Sequence, residues 1–151
     1  ELSVNFWPLK LNQITPISLK KMFDDAGIKW RVIVVSACYS GGYIEPLKDE
    51  HTLIMTASDA NNTSFGCGSE SDFTYFGKAM FDEELRKTYS FTQAFEQAKL
   101  SILKREKTDN FEPSNPQIFA GDKIASKLKE LEFRLAQTPL PQTAGEHLHE
   151  K

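Results

Sequence analysis

Apolar residues along this chain recur with two different periods, and the change between them marks out the secondary structure. Trp30 to Ala37 is a nearly unbroken apolar run (Trp-Arg-Val-Ile-Val-Val-Ser-Ala), the pattern of a strand buried on both faces. Thr52 to Ala57 (Thr-Leu-Ile-Met-Thr-Ala) is a second, shorter run of the same kind. Elsewhere the period is helical. Thr15-Pro16 predicts a helix start, with the threonine as cap and the proline in the first turn. Leu19, Met22, Phe23 and Ala26 share its apolar face, and Gly27 ends it. From Phe73 to about Lys87 a second helical stretch turns Phe76, Ala79, Met80 and Phe81 inward. Ser90-Phe91-Thr92-Gln93 reads as a capping box. It launches a third helix with Phe91, Ala94, Phe95, Ala98 and Ile102 on one stripe. Pro116 to Ala120 predicts a short third strand that stops at Gly121. Asp122 then caps a last helix, with Ile124, Leu128, Leu131 and Leu135 in register.

The remaining segments are connectors. Residues 2–11 alternate partially and are broken by Pro8, as in an edge strand or extended arm. The loop 38–51 is short for a helical crossover but has room for one or two helical turns. Segments 58–69 and 106–115 are polar, the second with a proline, and no repeat occurs. Residues 138–151 hold two prolines and little apolar content, which predicts a disordered tail behind a domain spanning 1–137. Strands alternating with amphipathic helices predict an α/β domain with a mostly parallel sheet. In such sheets chemistry gathers at the carboxyl ends of the strands, where Cys38 and the 58–69 loop both fall.

Composition narrows the function. The chain has 151 residues and a net charge of −3, with no block of lysine or arginine. Nucleic-acid binding and contact with anionic membranes therefore have no electrostatic basis. No apolar stretch approaches the roughly 18 residues of a membrane span, and no signal-peptide pattern opens the chain. The first residue is Glu1 rather than Met, so the amino terminus reads as a processing site or a cut boundary, and the compartment stays open. Two cysteines, Cys38 and Cys67, define no disulfide framework.

Cys38 carries the candidate chemistry. It ends an apolar strand and precedes Tyr39-Ser40-Gly41-Gly42, so a rigid strand fixes the sulfur and the glycines let a substrate backbone approach. A phosphatase loop needs an arginine about six residues after the cysteine, where this chain has Ile44. A thioredoxin-like site needs a second cysteine at the position of Gly41. Gly41-Gly42 also lacks the further residues of a dinucleotide or phosphate-binding loop. Acyl transfer by the thiol remains, with the Cys38 N–H as an oxyanion donor. A thiol nucleophile needs a base, yet no histidine precedes Cys38, and only His51, His147 and His149 follow. Either His51 serves or the base lies outside this chain. His51 opens the second strand and reads as a surface histidine, at the end opposite Cys38 if the strands are parallel. His147 and His149 fall in the tail and make no metal site. Asn61-Asn62-Thr63 matches a glycosylation sequon and reads as a loop coincidence. No cofactor is implied.

Ser36-Ala37-Cys38-Tyr39-Ser40-Gly41-Gly42 resembles the nucleophile turn of the legumain-type cysteine peptidases, asparaginyl endopeptidases of the caspase–haemoglobinase fold. The resemblance continues through Thr56-Ala57-Ser58, Thr63-Ser64-Phe65-Gly66-Cys67 and Thr74-Tyr75-Phe76-Gly77, over about residues 28–82. It is nearest to a bacterial branch. It implies that Cys38 is the nucleophile and that Thr63 and Ser64 line the substrate pocket. Ser36 stands where the family has a glutamate and Lys78 where it has a pocket aspartate, so preference for asparagine does not carry over. Glu70 and Asp72, in the same loop, would recast the pocket for a basic side chain. The family's histidine lies in a His-Gly turn that also supplies the second oxyanion donor. By that spacing the turn would precede Glu1. The resemblance thus implies the carboxyl-terminal part of a caspase-like domain, N-terminally incomplete and inactive alone, acting as a whole on a peptide or protein substrate. A missing strand would leave a sheet edge open to a homodimer. Two other classes stay open: a non-catalytic caspase-like module that binds peptides or partners, and an unrelated α/β thiol protein.

Overall fold

A computed structural model of the chain describes residues 7–8, 13–66 and 72–137. Apart from Trp7 and Pro8, the arm expected over 2–11 lies outside the described residues. So do Cys67, Glu70 and the segment 138–151 with His147 and His149.

The two apolar runs form β1 (Arg31–Val35) and β2 (Thr52–Thr56), which pair in parallel with Val32 opposite Leu53 and Val34 opposite Met55. The third run forms β3 (Gln117–Ala120), giving a three-stranded sheet in the order β1-β2-β3. β3 runs antiparallel to β2, with Ile54 opposite Phe119. The sheet is therefore mixed. Periodicity reports which residues are buried but carries no strand direction.

Central β2 is buried along its whole length, and alternate residues feed two cores. Leu53 and Met55, with Val34 and Ile118, face a core built by Phe76, Ala79, Met80, Phe95, Ile102 and Ile124. Ile54, with Ile33, Val35 and Phe119, faces a smaller one closed by Leu19, Phe23, Tyr43 and Leu47. Each large apolar side chain fully buried this way contributes about 1.5–3 kcal/mol.

Helix α1 (Pro16–Asp25) starts as the sequence predicts: Thr15 Oγ1 accepts from Ser18 N (3.1 Å) and Ser18 Oγ from Thr15 N (2.9 Å). Leu19 and Phe23 pack inward, but Met22 is exposed. The 38–51 loop holds a 3₁₀ turn (Ser40–Tyr43) and the short α2 (Ile44–Leu47).

α3 (Tyr75–Gly77) runs directly into a π-helical stretch, Lys78–Glu84, closed by Leu85 N donating to Met80 O. Phe76, Ala79 and Met80 are buried, whereas Phe81 points to solvent, because the residue next to a buried position lies around the side of the helix.

Helix α4 (Phe91–Thr108) has half the expected capping box. Ser90 Oγ accepts from Gln93 N, while the Gln93 carbonyl oxygen is taken by the Thr88 hydroxyl, which itself accepts from Ser90 N. α4 also runs past the expected start of the polar connector at 106, because Glu106 is buried and forms part of the helix. α5 (Asp122–Leu135) is capped by Gly121, with Asp122 as its first residue. A Cβ at Gly121 would stand 2.2 Å from Asp49 O, so the close pass of β3 beside residues 49–50 requires glycine. No described helix is long and apolar enough to cross a membrane.

Candidate active site

β1 and β2 remain paired up to the bond from Ala57 N to Val35 O (3.0 Å) and then diverge. β1 leads to the turn 38–42 and β2 to the loop 58–66. Cys38 lies at that parting and is exposed. The chain turns sharply just after it, with Tyr39 in the left-handed region at φ 58° and ψ 21°. That conformation is costly for an aromatic residue and persists only where its surroundings enforce it.

The enforcement comes from Ser40 and Gly41. Ser40 N donates to Ser58 Oγ and Ser58 N to Ser40 Oγ, both at 3.1 Å, and Ser58 Oγ also reaches Ala37 O at 3.2 Å. Both serines are fully buried. A Cβ on Gly41 would stand 2.6 Å from Ala60 N, so the loop backbone fills the space a side chain would need. This corrects the expectation that both glycines serve substrate approach. Gly41 admits Asp59 and Ala60 of the protein itself, and only Gly42 faces open space.

Cys38 Sγ accepts from Ser64 N at 3.4 Å and lies 3.6 Å from Ser64 O and 3.7 Å from Ser64 Oγ. The Tyr39 N–H is taken by Asn62 O at 2.9 Å, while the Cys38 N–H has no partner among the described residues. The turn therefore presents one exposed sulfur and, beside it, one unused backbone donor.

The other candidates fall into separate places. Ser36 Oγ meets Thr74 Oγ1 at 3.2 Å. Thr74 caps α3 by accepting from Gly77 N (2.9 Å), and its carbonyl accepts from Lys78 N (2.9 Å). Thr74 thus joins Ser36 to Lys78, a role that the motif Thr74-Tyr75-Phe76-Gly77 contains but does not announce. Lys78 lines a pocket of about 340 Å³ with Asp72, Thr74, Tyr75, Asp82, Arg105 and Asp109; Cys38, Ser36 and Ser64 are not on its wall. Thr63 is exposed and makes no side-chain hydrogen bond among the described residues.

His51 is no surface residue: it is buried under the Trp30 ring, which meets it edge-on at 4.6 Å. It precedes β2, whereas Cys38 follows β1. With the strands parallel, the full length of a five-residue strand separates them, about 16 Å. His51 cannot reach the thiol, so no histidine among the described residues stands beside Cys38.

Asp59 organises the loop facing Cys38. Its Oδ1 accepts from Asn61 N and Asn62 N (2.8 Å each), and its Oδ2 from Asn62 Nδ2 (2.7 Å) and Asn115 Nδ2 (3.2 Å). The Asn61 N–H foremost, with the Asn115 and Asn62 donors, holds the carboxyl below the ordinary aspartate range, against an opposing effect of burial. Across the site, the Tyr75 hydroxyl donates to Asp109; that hydrogen bond first, then burial and the charge of Asp109, raises the Tyr75 pKa above its ordinary value.

A family model described as the peptidase C13 family matches residues 3–126. No curated protein matches the chain.

Proposed function

Because the chain belongs to the peptidase C13 family, the legumain family of cysteine peptidases, we propose that Cys38 is the nucleophile that opens peptide bonds in its substrates. The carrying observation is the exposed Cys38 sulfur, with the Ser64 N–H on it and the unpaired Cys38 N–H alongside. In this reading Sγ attacks the substrate carbonyl carbon, and the oxygen, as it takes negative charge, accepts from the Cys38 N–H. A base must remove the thiol proton and return it to the leaving amine. With His51 out of reach, that base is assigned to a histidine beyond this sequence, and residues 1–137 to the carboxyl-terminal part of the peptidase domain. This chain by itself would then be inactive. Ser36, Thr63, Ser64 and Lys78 are assigned to the substrate-binding surface, Lys78 in place of a carboxylate. β1 has no strand on its outer side among the described residues, and that edge, where Val32 is 40% exposed, is where a second copy would pair; light scattering of the chain tests that.

The test compares three proteins on a fluorogenic peptide library with mixed side chains before the scissile bond. They are this chain, a version extended upstream through the next His-Gly, and the extended version carrying Cys38→Ala. Cleavage by the extended protein alone, lost with Cys38→Ala, is the expected result. A folded extended protein that binds peptides without cleaving them would turn the reading to a non-catalytic peptide-binding module. The absence of an imidazole beside Cys38 among the described residues keeps that second reading in view.

A further inference from the structure

The connector between α4 and β3 contacts the nucleophile-facing loop at both of that loop's ends. At the loop's start, Ser114 O accepts from Asp59 N (2.9 Å), and Asn115 Nδ2 donates to Asp59 Oδ2 (3.2 Å). At its end, the Phe111 ring stacks on Phe65, centroids 4.3 Å apart and planes 3° from parallel. Tyr75 closes the group. Its ring tilts against both phenylalanines, its N–H donates to Phe65 O (3.0 Å), and its hydroxyl holds Asp109 at the head of the connector. Between those two fixings, loop 58–66 meets the nucleophile turn through the bonds from Tyr39 N to Asn62 O and from Ser64 N to Cys38 Sγ, with Ala60 packed against Gly41.

The connector has the features of a rigid part. Asn110 and Asn115 both adopt left-handed backbone, φ 57° and 54°, which asparagine tolerates better than other residues with a side chain. Glu106, fully buried at the end of α4, accepts from Ser114 N through Oε1 (3.1 Å) and from Phe111 N through its carbonyl (2.8 Å). A buried carboxylate that accepts from a backbone N–H holds that backbone in a single place. The polar composition of 109–115 gives no sign of this. The work is done by one ring, one amide and one buried acid, each directed at a residue far away in sequence.

We propose that segment 109–115 is a brace that sets the position of Ser64 against Cys38, with Phe111 and Asn115 as its positioning residues. Neither touches the sulfur; both act through the loop between them and it. The inference rests on the reading of Cys38 as the nucleophile.

The rate of Cys38 alkylation by iodoacetamide in the full chain tests it, read on the Cys38 peptide by mass spectrometry so that Cys67 is scored separately. Phe111→Ala removes the stack. Asn115→Gly removes the amide while keeping the left-handed turn. Each is expected to slow Cys38 by about three- to tenfold, the worth of one ordinary hydrogen bond lost from the sulfur. Phe111→Tyr should restore the parent rate. Ile124→Val, which loosens the core under α5 away from the loop, should leave the rate unchanged at a comparable loss of stability. Parent-rate alkylation in folded Asn115→Gly and Phe111→Ala would overturn the brace, and if Phe111→Ala does not fold, Asn115→Gly decides alone. Peptide cleavage by the upstream-extended protein that survives Cys38→Ala would instead remove the nucleophile reading, and the brace with it.

Discussion

Ser40 and Ser58 exchange hydrogen bonds in both directions, each backbone N–H reaching the other's hydroxyl at 3.1 Å. One residue lies two positions after Cys38 and the other two positions after β2. The pair therefore locks the turn after Cys38 to the neighbouring strand's exit with no exposure to water. Either serine changed to alanine leaves a buried N–H without its acceptor. Each single variant is expected to lose about 1–3 kcal/mol in urea unfolding. The double variant should lose slightly less than the sum, since only the contact between the two hydroxyls (3.3 Å) is common to both side chains.

The two glycines after Cys38 separate cleanly. Gly41→Ala places a methyl 2.6 Å from backbone atoms of Asp59 and Ala60. Backbone cannot rotate aside as a side chain does, so a loss of about 1–3 kcal/mol is expected. Gly42→Ala meets nothing within 4 Å and should stay within about 0.5 kcal/mol of the parent. Thermal melts of the two variants measure the contrast directly.

Asp59 predicts an acid-side dependence of stability. Its carboxyl is held below the usual 3.8 by the Asn61 N–H first and by the Asn115 and Asn62 donors after it. A folded-state value below the unfolded one means a stabilising contribution fully present above the unfolded value. It is lost as pH falls through the folded one. The stability gap between the parent and Asp59→Asn should therefore be constant near neutrality and begin to narrow below about pH 4, as the unfolded chain and then the folded one take up the proton. Urea midpoints measured from pH 7 down to pH 3 check the sign. A gap that widens on acidification would contradict the bonding described.

Thr74 ties the start of α3 to Ser36, two residues before Cys38. Thr74→Ala removes a helix cap and should cost about 1 kcal/mol, whereas Thr74→Ser keeps the hydroxyl and most of that stability. In an active, extended protein, Thr74→Ala should also change the selectivity profile across the peptide library, because it takes the hydroxyl partner from Ser36 and the cap from the helix start that leads to Lys78.

What local sequence determines here is what a residue's own element decides. The unbroken run into Val35 makes a buried strand wherever it is placed, and a strand of that kind ends with Cys38 at its carboxyl lip. Thr15, Ser90 and the Phe91–Ile102 stripe are equally local, since caps and faces involve residues three or four positions apart. Only the tertiary structure decides what lies opposite. β3 turns antiparallel, Trp30 covers His51, loop backbone fills the space beside Gly41, and Phe111 finds Phe65. Periodicity along the chain measures burial alone, whereas each of these contacts joins segments distant in sequence, and only packing sets their distance and angle. A cysteine on a strand end is thus legible in the residues themselves, while the bonds that hold that cysteine in place arise only once β1, β2 and the α4–β3 connector have met.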